Sequence, residues 1–152
     1  MSTQSNKELI ARHFATFNAG DIDGFADTMA EDSVNHAAIP QAQGRDGARG
    51  IVTKLRSAFP DMKMTVEDVI AEGDRVVCRV TVTGTHTGAL DFVKIKVPAT
   101  GKSLRTSHIH VFRIANEKIA ERWAERDDVA MMQQLGVFPP IVDARAQSQV
   151  QS

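Results

Sequence analysis

"SLRTSHIHVFRIANEKIAERWAERD", residues 103–127, decides how this chain is read. Its first half is strand-like, and it places two of the chain's five histidines, His108 and His110, two residues apart. Side chains alternate along a strand, so both rings point to one side, with Phe112 and Ile114. Ala115-Asn116-Glu117 reads as a turn, and the second half returns as the antiparallel partner. Asn116 tolerates a positive φ and Glu117 tolerates it poorly, which leaves the turn type open. A two-residue turn predicts Ile119, Glu121, Trp123, Glu125 and Asp127 on the histidine face. The other face would carry Ile109, Val111, Arg113 and Ala120, with Arg122, Ala124 and Arg126. A face of two imidazoles, three carboxylates, a Trp and a Phe makes a poor dry core and a reasonable pocket wall. The plainer reading is that the carboxylates are solvated, that only Phe112 and Trp123 pack, and that Asp127 caps the next helix.

The sequence on either side supplies the rest of the fold. Glu72-Gly73-Asp74 separates two alternating runs, residues 62–71 and 75–86, and predicts another hairpin. Residues 91–102, "DFVKIKVPATGK", hold a short strand and a Pro-Gly loop. The first third is helical. In residues 5–21, Ser5 with Glu8 matches a capping box, and Leu9, Ile10, His13, Phe14 and Phe17 form one stripe. Gly20 ends that helix, and Asp21 can cap a second one through Met29. "SVNHAAI" (33–39) reads as a short strand, residues 47–59 as a helix stopped before Pro60, and residues 128–136 as a last helix closed by Gly136. Helices followed by a long, mostly antiparallel sheet define an α+β class. Residues 1–141 are expected to form one domain and 142–152 a polar, flexible tail.

Composition narrows the function. A chain of 152 residues, 42% hydrophobic and 24% charged, is an ordinary globular domain. A formal net charge of −1 gives no basic excess for nucleic acid or an anionic membrane. No apolar run approaches a membrane span, and the polar start lacks a signal-peptide core, so a cytoplasmic location is the expectation. The single cysteine, Cys78, rules out an intrachain disulfide and reads as a small core residue in an alternating strand.

Several pieces resemble the SnoaL-like polyketide cyclase family of the nuclear-transport-factor-two-like superfamily. They are "NAGDIDGFADTMAEDSVNHA" (18–37), "GTHTG" (84–88), "PATGK" (98–102), "HVFRIANEKIAERWAERDD" (110–128) and "QQLG" (133–136). The resemblance runs from about Asn6 to Gly136 and implies a cone: a curved sheet wrapped by helices around a pocket. Characterised members close a ring of a polycyclic aromatic polyketide by intramolecular aldol condensation without a cofactor. The family's acid/base carboxylate follows the Trp of the final strand, which implies Asp127 here. A family histidine on the preceding strand corresponds to His108 or His110, and His36 of "VNHA" matches a position at the pocket mouth. The family turn usually reads Asp-Gly, where this chain has Asn116-Glu117. The resemblance also implies a homo-oligomer, a dimer or tetramer.

Such a ring closure needs a proton taken from carbon alpha to a carbonyl and a proton given to the alkoxide that forms. One carboxyl group in an apolar pocket can do both, because burial raises its pKa toward neutrality. The expected set is therefore Asp127 as acid/base, assisted by His108 or His110. A small hydrophobic or aromatic substrate would lie against Phe112, Trp123, Phe14, His36 and His86. No metal or other cofactor is required if the substrate delocalises its own enolate.

Rival readings remain. His108-x-His110 with His36 is a possible zinc or iron ligand set. A ketosteroid isomerase would use a Tyr, and the chain has none. An epoxide hydrolase of this fold would use Asp-Arg-Asp, for which Arg79 lacks acidic partners in order. A binding module without chemistry is the third class, since fold alone does not grant function.

Overall fold

The computed structural model describes residues 2–92 and 95–137, so the tail expected over 142–152 lies outside the described residues. The turn at Asn116-Glu117 is two-residue and of the I′ kind. Asn116 and Glu117 both have positive φ, 51° and 62°, which matches the twist of the strands it joins, β6 (Ser103–Ala115) and β7 (Lys118–Arg126). The same logic joins β2 (Lys63–Glu72) to β3 (Arg75–Thr85), where Gly73 takes φ 58° without a Cβ penalty. With β1 (Met29–Asn35), these strands make one sheet in the order β1-β7-β6-β3-β2. All its pairs are antiparallel except β1 with β7. A separate two-stranded ribbon pairs β4 (Leu90–Phe92) with β5 (Ile95–Val97), where the sequence predicted one short strand.

Helices α1 (Thr3–Ala19), α2 (Ile22–Asp27) and α3 (Gly44–Ala58) precede the long strands, and α4 (Asp128–Gln134) closes the described chain. The first helix starts earlier than the Ser5–Glu8 pattern suggests. Its N-cap is Ser2, whose hydroxyl accepts from the Ser5 amide while Ser5 Oγ accepts from the Ser2 amide. The stripe itself is as read: Leu9, Ile10, His13, Phe14 and Phe17 are all buried. Asp21 caps α2 by accepting from the Gly24 amide, but that helix ends at Asp27 and Met29 already belongs to β1. The buried side of β3, Val76, Cys78, Val80 and Val82, meets these helices in a single hydrophobic cluster with Phe112, Ile114 and Ile119.

The hairpin register differs from the two-residue alternation expected of it. Ile114 pairs with Ile119, yet Arg113 pairs with Glu121, so Ala120 is an extra residue, a β-bulge. One inserted residue exchanges the faces of everything beyond it. His108, His110, Phe112 and Ile114 do share one face, as expected. Opposite them stand Arg126, Ala124 and Arg122. Glu121, Trp123 and Glu125 pair with Arg113, Val111 and Ile109 on the other face. The expectation that Trp123 and its neighbouring carboxylates line the histidine side is thereby corrected.

Candidate functional site

The histidine face is the inward one: His110 is 1% exposed and Phe112 is fully buried, whereas Ile109, next to His110 in sequence, is 41% exposed. Phe112 lies parallel to the His110 ring, with centroids 5.8 Å apart. From α1, Phe14 meets His110 edge-on at 5.5 Å, and His13 meets Phe112 edge-on at 5.5 Å. The bulge puts Arg122 on this side. Its Nε donates to His110 Nδ1 at 3.2 Å, and its Nη1 donates to Asn35 Oδ1 at 3.2 Å. Asn35, buried on β1, is held from behind by Gln43, whose side chain bonds both its amide and its carbonyl.

Electrostatics follow from burial among cations. His110 falls to about 2, through desolvation first and then the charge of Arg122. His13 falls to about 3 for the same two reasons. His108 falls to about 4, through desolvation and then Arg126 and Arg122, with Asp128 pulling the other way. Desolvation brings Arg122 itself down to about 10, aided by Arg126. At neutral pH these imidazoles are uncharged, and the guanidinium is bonded to two neutral acceptors. His110 Nε2, His108 Nδ1 and Ser33 Oγ are buried with no hydrogen-bond partner in the structure. Buried polar atoms are normally satisfied, so an inward face with three of them is a place where a ligand's polar atoms would fit.

Two clefts flank this group. One, of about 420 Å³, runs between α1 and β2 and is lined by Ile10, Phe14, Met64, Val66 and Val69 among others. It is predominantly apolar, and Phe14 separates it from His110. The other, of about 670 Å³, lies along β1 and includes Ser33, Asn35 and His36.

The remaining sequence candidates sit elsewhere. Asp127 is exposed and caps α4, accepting from the Ala130 amide at 3.0 Å. His36 stacks on Trp123 on the outer face, so it does not converge with His108 and His110. Among the described residues, no three His, Cys, Asp or Glu side chains are grouped to hold a metal ion. His86 is buried against Phe59, with Nδ1 accepting from the Thr100 amide at 3.2 Å. Burial holds its pKa below the ordinary value. Cys78 is fully buried and desolvation pushes its thiol up to about 11, so it is a core residue rather than a nucleophile. Arg122, Asn35 and Ser33 are the inward polar residues that the sequence did not single out. Only the position of the bulge would have revealed Arg122, and Ala120 carries no residue-type mark of one.

The profile of the SnoaL-like polyketide cyclase family matches residues 8–135, and the chain belongs to that family. It is 29% identical over 141 residues to the aklanonic acid methyl ester cyclase DnrD of Streptomyces peucetius, covering 90% of this chain and 92% of that one. It is 28% identical over 134 residues to the corresponding cyclase DauD of Streptomyces sp. strain C5, covering 85% and 80%. Among solved structures, TsrD of Streptomyces laurentii superposes with a TM-score of 0.79 at 26% identity, over 91% of this chain and 99% of TsrD. IdmH of Streptomyces antibioticus does so at 0.72 and 31%, over 87% and 99%.

Proposed function

We propose that the chain catalyses cofactor-independent ring closure of a polycyclic aromatic polyketide ester by intramolecular aldol condensation. The observation that carries this reading is an apolar cleft, sized for a flat ring system, that ends at Phe14 against an inward face of neutral, unpartnered imidazole nitrogens. In the proposed reaction a carboxylate takes the proton alpha to a carbonyl. The resulting carbanion attacks the second carbonyl carbon, forming the C–C bond, and the alkoxide recovers a proton from the same carboxyl group. No atom is gained or lost, and no oxidant is needed. Asp127, directly after Arg126 at the end of β7, is the proposed carboxylate, and His108, cross-strand from Arg126, is the proposed assisting imidazole. Apolar walls around the substrate would strengthen each of these charge interactions.

One observation favours a second reading, a binding module: Asp127 already has a structural task as a helix cap. The experiment uses aklanonic acid methyl ester as the first substrate, with wild type and Asp127→Asn compared. Asn caps helices as well as Asp does, so the variant keeps the fold. Turnover by wild type and its loss in Asp127→Asn support the acid/base reading. Ester binding without turnover in wild type replaces it by the binding module.

A further inference from the structure

The geometry points to Arg122 as a positioning residue that fixes the proton of His110 on Nε2, making the ring a neutral hydrogen-bond donor to a ligand oxygen that carries or gains negative charge. A guanidinium has donors and no acceptor. The 3.2 Å contact from Arg122 Nε to His110 Nδ1 therefore uses the Nδ1 lone pair. A neutral imidazole with Nδ1 accepting carries its hydrogen on Nε2. That nitrogen is buried, on a residue 1% exposed, and has no partner. It is a donor with nothing to donate to. The ring cannot turn to satisfy it, because Phe112 lies parallel to one side and Phe14 meets it edge-on.

The opposite assignment holds for His13 and shows that the tautomers are set individually. Thr28 Oγ donates its single hydrogen to the Phe25 carbonyl at 2.6 Å. It can then only accept from His13 Nδ1, 2.7 Å away, so His13 carries its hydrogen on Nδ1. Arg122 has a second anchor, Asn35 Oδ1, so both of its bonds are to neutral acceptors. The charge of Arg122 also disfavours a protonated His110. A neutral donor of this kind suits an enolate, phenolate or developing alkoxide oxygen. This assignment rests on the ring-closure reading for its catalytic meaning. Its structural content, the tautomer and its ligand, can be read without turnover.

The test is a long-range ¹H–¹⁵N correlation spectrum of histidine-labelled protein at neutral pH, with His110→Gln assigning the signal. Wild type is expected to show His110 with a protonated Nε2 and a bare Nδ1, and addition of 2-naphthol should move the Nε2 signal. A protonated Nδ1, a charged ring, or a signal indifferent to 2-naphthol overturns the proposal. Arg122→Met should give a mixed tautomer and weaken 2-naphthol binding about tenfold, and Arg122→Lys should restore part of both. A pure Nε2–H signal in folded Arg122→Met also overturns it. If wild type shows the expected tautomer and naphthol shift but never turns over a polyketide ester, the ring-closure reading fails while this assignment stands.

Discussion

The ring of His36 lies on the indole of Trp123, 7° from parallel with centroids 4.6 Å apart, and its Nε2 meets Glu121 Oε2 at 2.8 Å. Arg75 sits over the indole at 4.9 Å, and Arg113 Nε bonds the second Glu121 oxygen at 2.6 Å. Strands β3, β6 and β7 and the residue that follows β1 are thus tied together on the outer face by one carboxylate and one aromatic side chain.

Glu121 is held below the ordinary carboxylate value, chiefly by the hydrogen bonds from His36 and Arg113. Its folded pKa is depressed, so its contribution to stability is present above the unfolded value and is lost as pH falls through the folded one. Glu121→Gln is expected to lower the urea midpoint at neutral pH, with the gap to wild type closing in acid below about pH 4. A midpoint difference that does not change with pH would mean that packing on Trp123, not charge, carries the effect.

The inward histidines, on the opposite face of the sheet, give a second pH effect of the same sign. His13, His108 and His110 fall to about 3, 4 and 2 in the folded chain. Below about 6.5 the unfolded chain binds protons that the folded chain refuses, so stability drops as pH falls. Each fully refused proton costs roughly 1.4 kcal/mol per pH unit. Chemical denaturation should therefore show unfolding coupled to proton uptake by these three imidazoles that grows from about one and a half protons near pH 6.5 to close to three protons near pH 5, before most carboxylates titrate. His13→Asn should remove one of them. Stability flat across that window would contradict neutral, buried imidazoles.

Much of this arrangement was legible in the sequence, and the rest was hidden for identifiable reasons. The alternation through His108, His110, Phe112 and Ile114 correctly gave one shared face; that it points inward rested on Trp123 and the carboxylates, which lie on the other side. The stripe on α1 and the cap at Asp21 were legible for local reasons. Trp123 and Arg122 were exchanged because their faces depend on the count of residues after the turn, and the extra one, Ala120, is chemically silent. An inward-facing arginine also runs against composition-based expectation, which places charge outside. Its tolerance comes from long-range partners, Asn35 and His110, that no local pattern announces.

Asp127 allows stability and chemistry to be separated. Its side chain supplies the cap of α4, so Asp127→Ala should cost about 1 kcal/mol of stability and Asp127→Asn close to none. Asp128 is the control: it lies within α4's first turn, bonds Arg126 at 3.4 Å and is not the capping residue. Asp128→Asn should leave the cap intact and lower the His108 pKa further, because the Asp128 charge is what pulls it up. Equal melting of Asp127→Ala and wild type would remove the capping role and strengthen the claim of Asp127 on chemistry.

The bulge makes the sharpest prediction about the fold itself. Deleting Ala120 removes the unpaired residue and places Glu121 directly after Ile119, so Ile114 keeps Ile119, Arg113 keeps Glu121 and every pair beyond is retained. Arg122 then stays inward on His110 and Trp123 stays outward. The deletion is expected to cost about 1–3 kcal/mol through the lost local bend, which leaves a domain of ordinary stability folded. Ala120→Gly keeps the residue count and should cost no more than about 1 kcal/mol. Thermal melts of both variants measure the register. A deletion variant that does not fold, beside a folded Ala120→Gly, would mean that Ala120 is regularly paired and that Trp123, not Arg122, faces the histidines.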